Sequence, residues 1–274
     1  MIMSKTILNA LSFKNRILLK ELVKTDFKLR YQGSVLGHLW SILKPLMLFA
    51  IMYVVFVKFL RFGADIPHYA VALLLAITLW SFFTEATGQG MHAIINRGDL
   101  VRKISFPKYI LVVSATVSAL INLAINLGVV VILAMISGVE FHWHIVLLPL
   151  VLLELYIFSL AVAFLLSALY VKFRDISHIW EVVIQAAFYA TPIIYPLSYV
   201  ATNTAPIFAK ILLLNPMAQI IQDARYLVVN GNIETVWNYI GNPLALIPLI
   251  IVVALAIIAS MYFRHHSKQF AEEI

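Results

Sequence analysis

Long apolar stretches alternate with short charged segments over most of the chain. Six of them are long enough to be interpreted as membrane-spanning helices, since about 20 apolar residues cross a hydrocarbon core of ~30 Å. They cover residues 39–60, 69–86, 109–137, 145–171, 179–195 and 244–263. The pattern therefore predicts an all-α integral membrane protein with six transmembrane helices.

An amphipathic pattern precedes the first span, over residues 7–30. Leucines recur at helical spacing on one side, and lysines four residues apart occupy another. The leucines are Leu11, Leu18, Leu22 and Leu29, and the lysines are Lys20, Lys24 and Lys28. Such a helix lies along a membrane surface rather than crossing it. We therefore expect a single membrane domain, 1–274, made of an amphipathic helix at 1–30, a six-helix region at 31–263 and a tail at 264–274.

The segment between spans five and six is apolar but repeatedly interrupted by Pro196, Pro206, Pro216, Gly231 and Pro243. The pieces predict two short helices, at 207–214 and 217–229, and neither is long enough to cross the bilayer. A hairpin that enters and leaves the membrane on one side satisfies its backbone when other helices surround it. The segment therefore predicts a re-entrant helical hairpin.

Composition and charge agree with a membrane protein. Hydrophobic residues make up 62% of the chain and charged residues only 12%, which excludes an ordinary soluble domain. Of the 20 Lys and Arg residues, 15 fall in the four segments that six spans place in the cytosol. Basic residues accumulate on the cytosolic side, so both termini are expected inside. Those expected at or beyond the outer face are Lys58, Arg61, Lys210 and Arg225. The net charge of +7 thus indicates topology and lipid contact rather than nucleic acid.

Several kinds of chemistry are missing from the sequence. The chain contains no Gly-Lys pair and so no phosphate-binding loop, and it has neither cysteine nor an HExxH zinc motif. His142 and His144 flank Trp143 at a predicted interface, where anchoring is the better interpretation than metal binding. We therefore expect a non-enzymatic chain without catalytic residues, metal site or cofactor of its own.

Polar residues inside the predicted spans allow two interpretations. Ser114, Ser118, Asn122 and Asn126 form a stripe down span three, which favours hydrogen bonds between helices over substrate contact. Glu154 lies inside span four, where a carboxylate is costly, and a proton-coupled carrier would need such a group. It is the only acid deep in a predicted span, since Glu85 and Glu181 are placed near the cytosolic ends. Pairing with an Asn or Tyr neighbour is therefore the preferred explanation.

Aromatic residues are concentrated in spans one, two and five. Flat rings stack on the C–H faces of sugars, so these side chains are candidates for the wall of a glycan passage, with core packing as the alternative. The candidates are Tyr53, Phe56, Trp80, Phe83, Phe188, Tyr189 and Tyr195.

Residues 27–45, FKLRYQGSVLGHLWSILKP, carry the most specific motif. Gly33 and Gly37 are four apart and would share one face of a helix, open to close backbone approach. The motif resembles the membrane entry of ABC permeases that export polysaccharides: O-antigen, capsule and teichoic acid. The matching residues are Arg30, Tyr31, Gly33, Ser34, Leu36, Gly37, Trp40 and Pro45.

Other regions resemble the same family. Residues 96–107, NRGDLVRKISFP, resemble its coupling helix, and Arg174-Asp175 matches a signature in its second cytosolic turn. Residues 189–198 and the pair Asn215-Pro216 resemble its exit-side hairpin. The resemblance implies ATPase-coupling roles for Asn96, Asp99, Arg102, Lys103, Arg174 and Asp175.

The resemblance also implies an assembly and a substrate. It implies a homodimer in the bacterial inner membrane, paired with two copies of an ABC ATPase that bind ATP and magnesium. The cargo would be a polyprenyl-diphosphate-linked glycan, with O-antigen as the first candidate. On charge, Lys24, Lys28 and Arg30, with Tyr31 beside them, are candidates to meet the diphosphate at the entrance.

Alternatives remain open within and outside this class. A capsule or teichoic-acid permease, or an ABC drug or lipid exporter, would share the fold. A membrane-embedded transferase should show clustered acids or histidines at one interface, and none is found. An ion-coupled carrier built from inverted repeats should show two similar halves, whereas the predicted hairpin has no counterpart after span two.

The charge distribution makes a topology prediction. Single cysteines in place of Arg97 or Lys268 should be protected from an impermeant thiol reagent added to intact cells, while cysteines in place of Asp65 or Asn203 should react. The native chain has no cysteine, so background labelling is absent. Labelling of residue 268 from outside would contradict an even number of crossings.

Overall fold

The computed structural model describes residues 13–29, 34–64, 66–203, 205–229, 233–241 and 243–274. All regular secondary structure in these ranges is helical, which confirms the predicted all-α class. The helices are α1 (Phe13–Leu29), α2 (Trp40–Met52, continued as a π-helix over Tyr53–Phe59), α3 (Tyr69–His92), α4 (Gly98–Lys103), α5 (Tyr109–Ile136), α6 (Leu148–Lys172), α7 (Ile176–Ala190), α8 (Leu197–Asn203), α9 (Pro206–Leu213), α10 (Pro216–Val228), α11 (Val236–Tyr239), α12 (Ile247–His266) and α13 (Phe270–Glu273).

Five helical segments in the described part of the chain are long and apolar enough to cross a membrane. They are Trp40–Phe59, Tyr69–His92, Tyr109–Ile136, Trp143–Lys172 and Leu244–His266, and they match predicted spans one, two, three, four and six. Span two was expected to end at residue 86, but α3 continues to His92. Helix α7 occupies predicted span five, yet its 15 residues extend only about 22 Å at 1.5 Å per residue.

Helix α3 forms the centre of the bundle. Most of its side chains are buried, and it packs against α5 on one side and α6 on the other. Gly90 allows α3 and α6 to approach each other closely. A Cβ built at residue 90 would lie 2.6 Å from Cβ of Ala163 on α6, so a larger residue would collide there. This helix is the least apolar of the five candidate spans and carries Thr78, Glu85 and Thr87, so a central position shields its polar groups from lipid.

Helices α1, α4 and α13 pack together at one end of the bundle. Leu22 of α1, Val101 of α4 and Phe270 of α13 belong to one buried apolar cluster. An ion pair between Asp26 and Arg97 also ties α1 to the turn before α4. The lysines of α1 stay exposed, so the predicted amphipathic pattern is confirmed for residues 13–28.

The expectation that Gly33 and Gly37 share a helical face is not met. Gly37 has a φ of +50° and lies in a 3-10 turn, Gly37–Leu39, that precedes α2. A left-handed residue cannot continue an α-helix, and glycine is the residue that adopts this conformation without strain. Gly33 lies outside the described residues.

Arg225, one of the four cations expected at or beyond the outer face, is enclosed by protein rather than exposed. Its side chain is one of the largest fully buried groups in the described structure. The guanidinium donates hydrogen bonds from Nε to the carbonyl of Ala72 (3.1 Å), from Nη1 to the carbonyl of Pro192 (2.8 Å) and Oε1 of Gln222 (2.9 Å), and from Nη2 to the carbonyl of Ile193 (2.6 Å). One side chain therefore joins α10, the start of α3 and the turn after α7.

Neighbouring bonds reinforce this junction. The Tyr69 hydroxyl donates to the carbonyl of Ile194 at 2.9 Å, and the Asn215 amide donates to the Thr191 hydroxyl at 3.2 Å. Asn215 also caps α10 by accepting from the backbone N–H of Met217. The Asn-Pro pair thus starts the helix and attaches it to the turn.

We expect Arg225→Met to destabilise the fold, because four buried acceptors lose their donor and each such loss costs about 1–3 kcal/mol. Lys210→Met is the matched control, since Lys210 is an exposed cation of the same segment. Thermal unfolding of the purified chain in detergent measures both variants. If the two melted at the same temperature, Arg225 would not hold the junction.

Candidate functional site

A cavity of about 730 Å³ lies among α2, α3, α5 and α7. Its lining combines amide, hydroxyl and carboxyl groups with aromatic and aliphatic side chains. Helix α2 contributes Ser41, Lys44 and Pro45 to the lining. Lys44 and Glu85 bring opposite charges to the same space.

Helix α5 contributes the asparagine amides that hold the polar part of the cavity lining together. The Asn122 amide donates to Oε1 of Glu85 on α3 at 2.8 Å, and the Gln89 amide donates to the same oxygen at 3.2 Å. The Asn126 amide donates to the backbone carbonyl of Ser41 on α2 at 3.0 Å. These bonds confirm for Asn122 and Asn126 the prediction that the polar stripe of span three connects helices. They also place both asparagines on the cavity wall. Ser114 instead donates to the carbonyl of Leu111 in its own helix, and Oγ of Ser118 has no hydrogen-bond partner among the described residues.

A residue of the lining has an unpaired acceptor in the described structure. Oδ1 of Asn122 is buried without a hydrogen-bond partner among the described residues. A ligand rich in hydroxyl groups supplies donors for such an oxygen and acceptors for the lysine ammonium.

Three of the aromatic candidates line the cavity together: Trp80, Phe188 and Tyr189. The rings of Trp80 and Phe188 meet edge to face at 5.8 Å, and those of Phe188 and Tyr189 at 5.4 Å. Tyr189 is 66% exposed, so its ring has a free face. Trp80 is only 6% exposed, so Tyr189 is the ring of the three with the most accessible face.

The other four candidates lie elsewhere. Phe83 is stacked on Phe158 at 5.2 Å within the core. Tyr53 and Phe56 lie on the π-helical part of α2, outside the cavity lining. The Tyr195 hydroxyl donates to the backbone carbonyl of Tyr189. Their surroundings are those of packing and local hydrogen bonding.

The candidate coupling residues lie on exposed connectors. Asn96, Asp99, Arg102 and Lys103 are exposed, whereas Val101 is buried and anchors α4 to the bundle. A short helix held by one apolar side chain and presenting charged ones is suited to contact a partner.

Arg174 and Asp175, between α6 and α7, are exposed as well. The Arg174 guanidinium lies 5.5 Å from the Tyr170 ring, and Tyr170 meets His92 edge to face at 4.6 Å. Because His92 ends α3, this contact places the two connectors at the same end of the bundle. The structure therefore brings both candidate coupling segments together.

The candidate entrance is only partly described. Lys24 and Lys28 are exposed on α1, while Arg30 and Tyr31 lie outside the described residues.

Sequence reasoning missed the role of Glu85. It was placed near the end of span two, but α3 runs seven residues further and puts this carboxylate on the cavity wall. The helical spacing of Glu85 and Gln89, four residues apart in a segment that continues without a helix breaker, was the available signal.

Sequence reasoning also treated Glu154 as a lone deep acid. In the structure Gln219 of α10 donates to it at 3.4 Å, and the same amide donates to Asp223 at 2.6 Å. The partner is therefore a glutamine, and a second buried acid lies beside it.

Comparison with known proteins covers almost the whole chain. The sequence profile described as "ABC-2 type transporter" matches residues 17–229. The O-antigen export system permease protein RfbA of Myxococcus xanthus is 32% identical over 262 residues, which are 96% of this chain and 97% of the relative. Two proteins of the same name from Klebsiella pneumoniae are 28% and 26% identical, over 82% and 90% of this chain and 84% and 93% of their own lengths.

Proposed function

Since this chain belongs to the ABC-2 type transporter family, we propose that it is the membrane-spanning permease subunit of an ATP-driven exporter that carries O-antigen. The cargo is lipid-linked polysaccharide, and it moves from the cytosolic side across the bacterial inner membrane. ATP and magnesium are bound by a separate ATPase subunit.

The observation that carries this proposal is the cavity lined by both polar groups and aromatic rings. A sugar ring presents C–H faces to aromatic rings and hydroxyl groups to amides and carboxylates. Several weak contacts of this kind hold a polymer in place without trapping it. The similarity to proteins named as O-antigen export permeases, over 82–96% of this chain, agrees with this assignment.

Two copies of the chain are proposed to form the exporter. The cavity is bordered by α2 and α7, and both helices expose large apolar side chains: Met47, Ile51, Ile179, Val182 and Val183. A second copy facing these helices would close the cavity into a passage between subunits.

Six crossings and a re-entrant hairpin are proposed for the topology. Helix α7 is short for a full crossing, but the turn after it extends the path and is fixed to α10 by Arg225 and Asn215. Helices α9 and α10 then return without crossing, and α12 completes the sixth passage. Both termini would lie in the cytosol, with α1 along the membrane surface.

The entrance for the lipid diphosphate is proposed beside α1. Lys24 and Lys28 are exposed cations on this helix, and Arg30 with Tyr31 follows them in sequence toward α2. A diphosphate is attracted by such a group of cations at the membrane surface.

The cavity proposal is tested with two matched pairs of variants. Phe188→Ala with Tyr189→Ala removes two cavity rings, and Tyr53→Ala with Phe56→Ala removes the same two residue types outside the lining. At about 0.5–1.5 kcal/mol per stacked ring, the cavity pair should lower export roughly tenfold. Surface polysaccharide per folded permease is the measurement. An equal effect of the two pairs would reject a sugar path through this cavity.

Coupling to an ATPase is tested at α4. Arg102→Glu with Lys103→Glu reverses two exposed charges and should weaken co-purification of the ATPase while membrane insertion is retained. Lys58→Glu with Arg61→Glu is the matched control, because it reverses two exposed charges at the opposite end of the bundle. The purified permease alone should not hydrolyse ATP. Appreciable turnover by this polypeptide would contradict the proposal.

A further inference from the structure

A second cavity, of about 650 Å³, lies at the opposite end of the bundle from α1, α4 and α13. It is bounded by the first turns of α6 and α12 and covered by α10 and α11. Its polar lining is concentrated at Glu154, Gln219 and Asp223, and most of the remaining lining is apolar. This cavity shares no residue with the one on α2, α3, α5 and α7.

The polar group has more acceptors than donors. The single Gln219 amide nitrogen donates to both carboxylates, and the Trp237 side chain also interacts with Asp223. Three buried oxygens remain without a partner among the described residues: Oε1 of Glu154, Oε1 of Gln219 and Oδ1 of Asp223. Gln219 is only 4% exposed and Asp223 only 8%, so bulk water does not satisfy them.

The nearest cation in the sequence, Arg225, hydrogen-bonds to other groups. Arg225 lies two residues from Asp223 but points to the carbonyls of Ala72, Pro192 and Ile193. A buried carboxylate needs a positive charge or hydrogen-bond donors, and two carboxylates joined by one amide need them more.

The apolar part of the cavity indicates what kind of molecule brings the donors. Leu150, Leu153, Leu249 and Val253 line it and are 41–62% exposed, so this wall opens to the side of the bundle that faces lipid. Three unpartnered acceptors match the three N–H donors of a primary ammonium, which itself has no acceptor. The volume lies within the range of pockets that enclose small ligands.

We propose that this cavity binds the head group of an aminophospholipid, phosphatidylethanolamine, with the ammonium on Glu154, Gln219 and Asp223 and the upper acyl chain along α6 and α12. The lipid fixes α10 to α6 through the two carboxylates. The site is separate from the cavity assigned to the polysaccharide and does not depend on what the transporter carries.

The test is a lipid titration of the full-length chain in detergent, followed by native mass spectrometry. Phosphatidylethanolamine is compared with phosphatidylcholine, whose quaternary ammonium has no N–H donor, and with phosphatidylglycerol. The wild-type chain should bind phosphatidylethanolamine on the order of tenfold more tightly than phosphatidylcholine, as expected when charge-assisted hydrogen bonds are lost.

Two variants approach the site independently. Glu154→Gln with Asp223→Asn removes both charges and should abolish the preference for phosphatidylethanolamine. Leu150→Trp fills the exposed apolar wall, leaves the acids in place and should lower binding of phosphatidylethanolamine by a similar factor, so the proposal stays testable if the acid variant folds poorly. Glu140→Gln, at an exposed acid before α6, is the matched control and should keep the wild-type preference.

Three results would overturn the proposal. Equal binding of phosphatidylcholine would mean that N–H donors are not recognised. Complete displacement by free ethanolamine at concentrations similar to those of the lipid would indicate a small-amine site instead. A rise in melting temperature for Glu154→Gln with Asp223→Asn, without any change in lipid preference, would mean that the two acids share a proton.

Discussion

The buried guanidinium of Arg225 is the constraint on which the end of the bundle opposite α1, α4 and α13 depends. A charge taken out of water must be compensated, and here the compensation comes from three backbone carbonyls and one amide oxygen. Those acceptors belong to the start of α3, the turn after α7 and α10. Segments far apart in sequence are therefore fixed to one another by a single side chain, and the short helices α8 to α11 are built around that junction.

The same requirement, that buried polar groups find partners, shapes both cavities. At the first, Asn122 and Asn126 use their amides to hold α3 and α2, and one carbonyl oxygen is left for a ligand. At the second, Gln219 divides its amide between Glu154 and Asp223 and leaves acceptors in excess. The balance of donors and acceptors thus suits the first cavity to hydroxyl groups and the second to an ammonium.

Much of the fold follows from hydrophobic length and charge, and these are local properties of the sequence. Apolar stretches of roughly 20 residues or more predicted the position of five of the spans, because a helix needs about that length to cross the hydrocarbon core. The end of α3 was misplaced because a charged residue, Glu85, was taken as the end of the span. The fifth span was the least determined, since α7 is shorter than its apolar stretch.

The sequence by itself determined that this is a helical membrane protein, which of its segments are long and apolar enough to cross, and which family its motifs resemble. Only the tertiary structure decided which aromatic rings share a cavity, since Trp80, Phe188 and Tyr189 meet through packing between helices while Phe83, only three residues from Trp80, packs into the core. Likewise, the sequence presents Arg225 and Asp223 as polar residues of a short helix. Their burial, and the partners that burial requires, arise from segments up to 153 residues away.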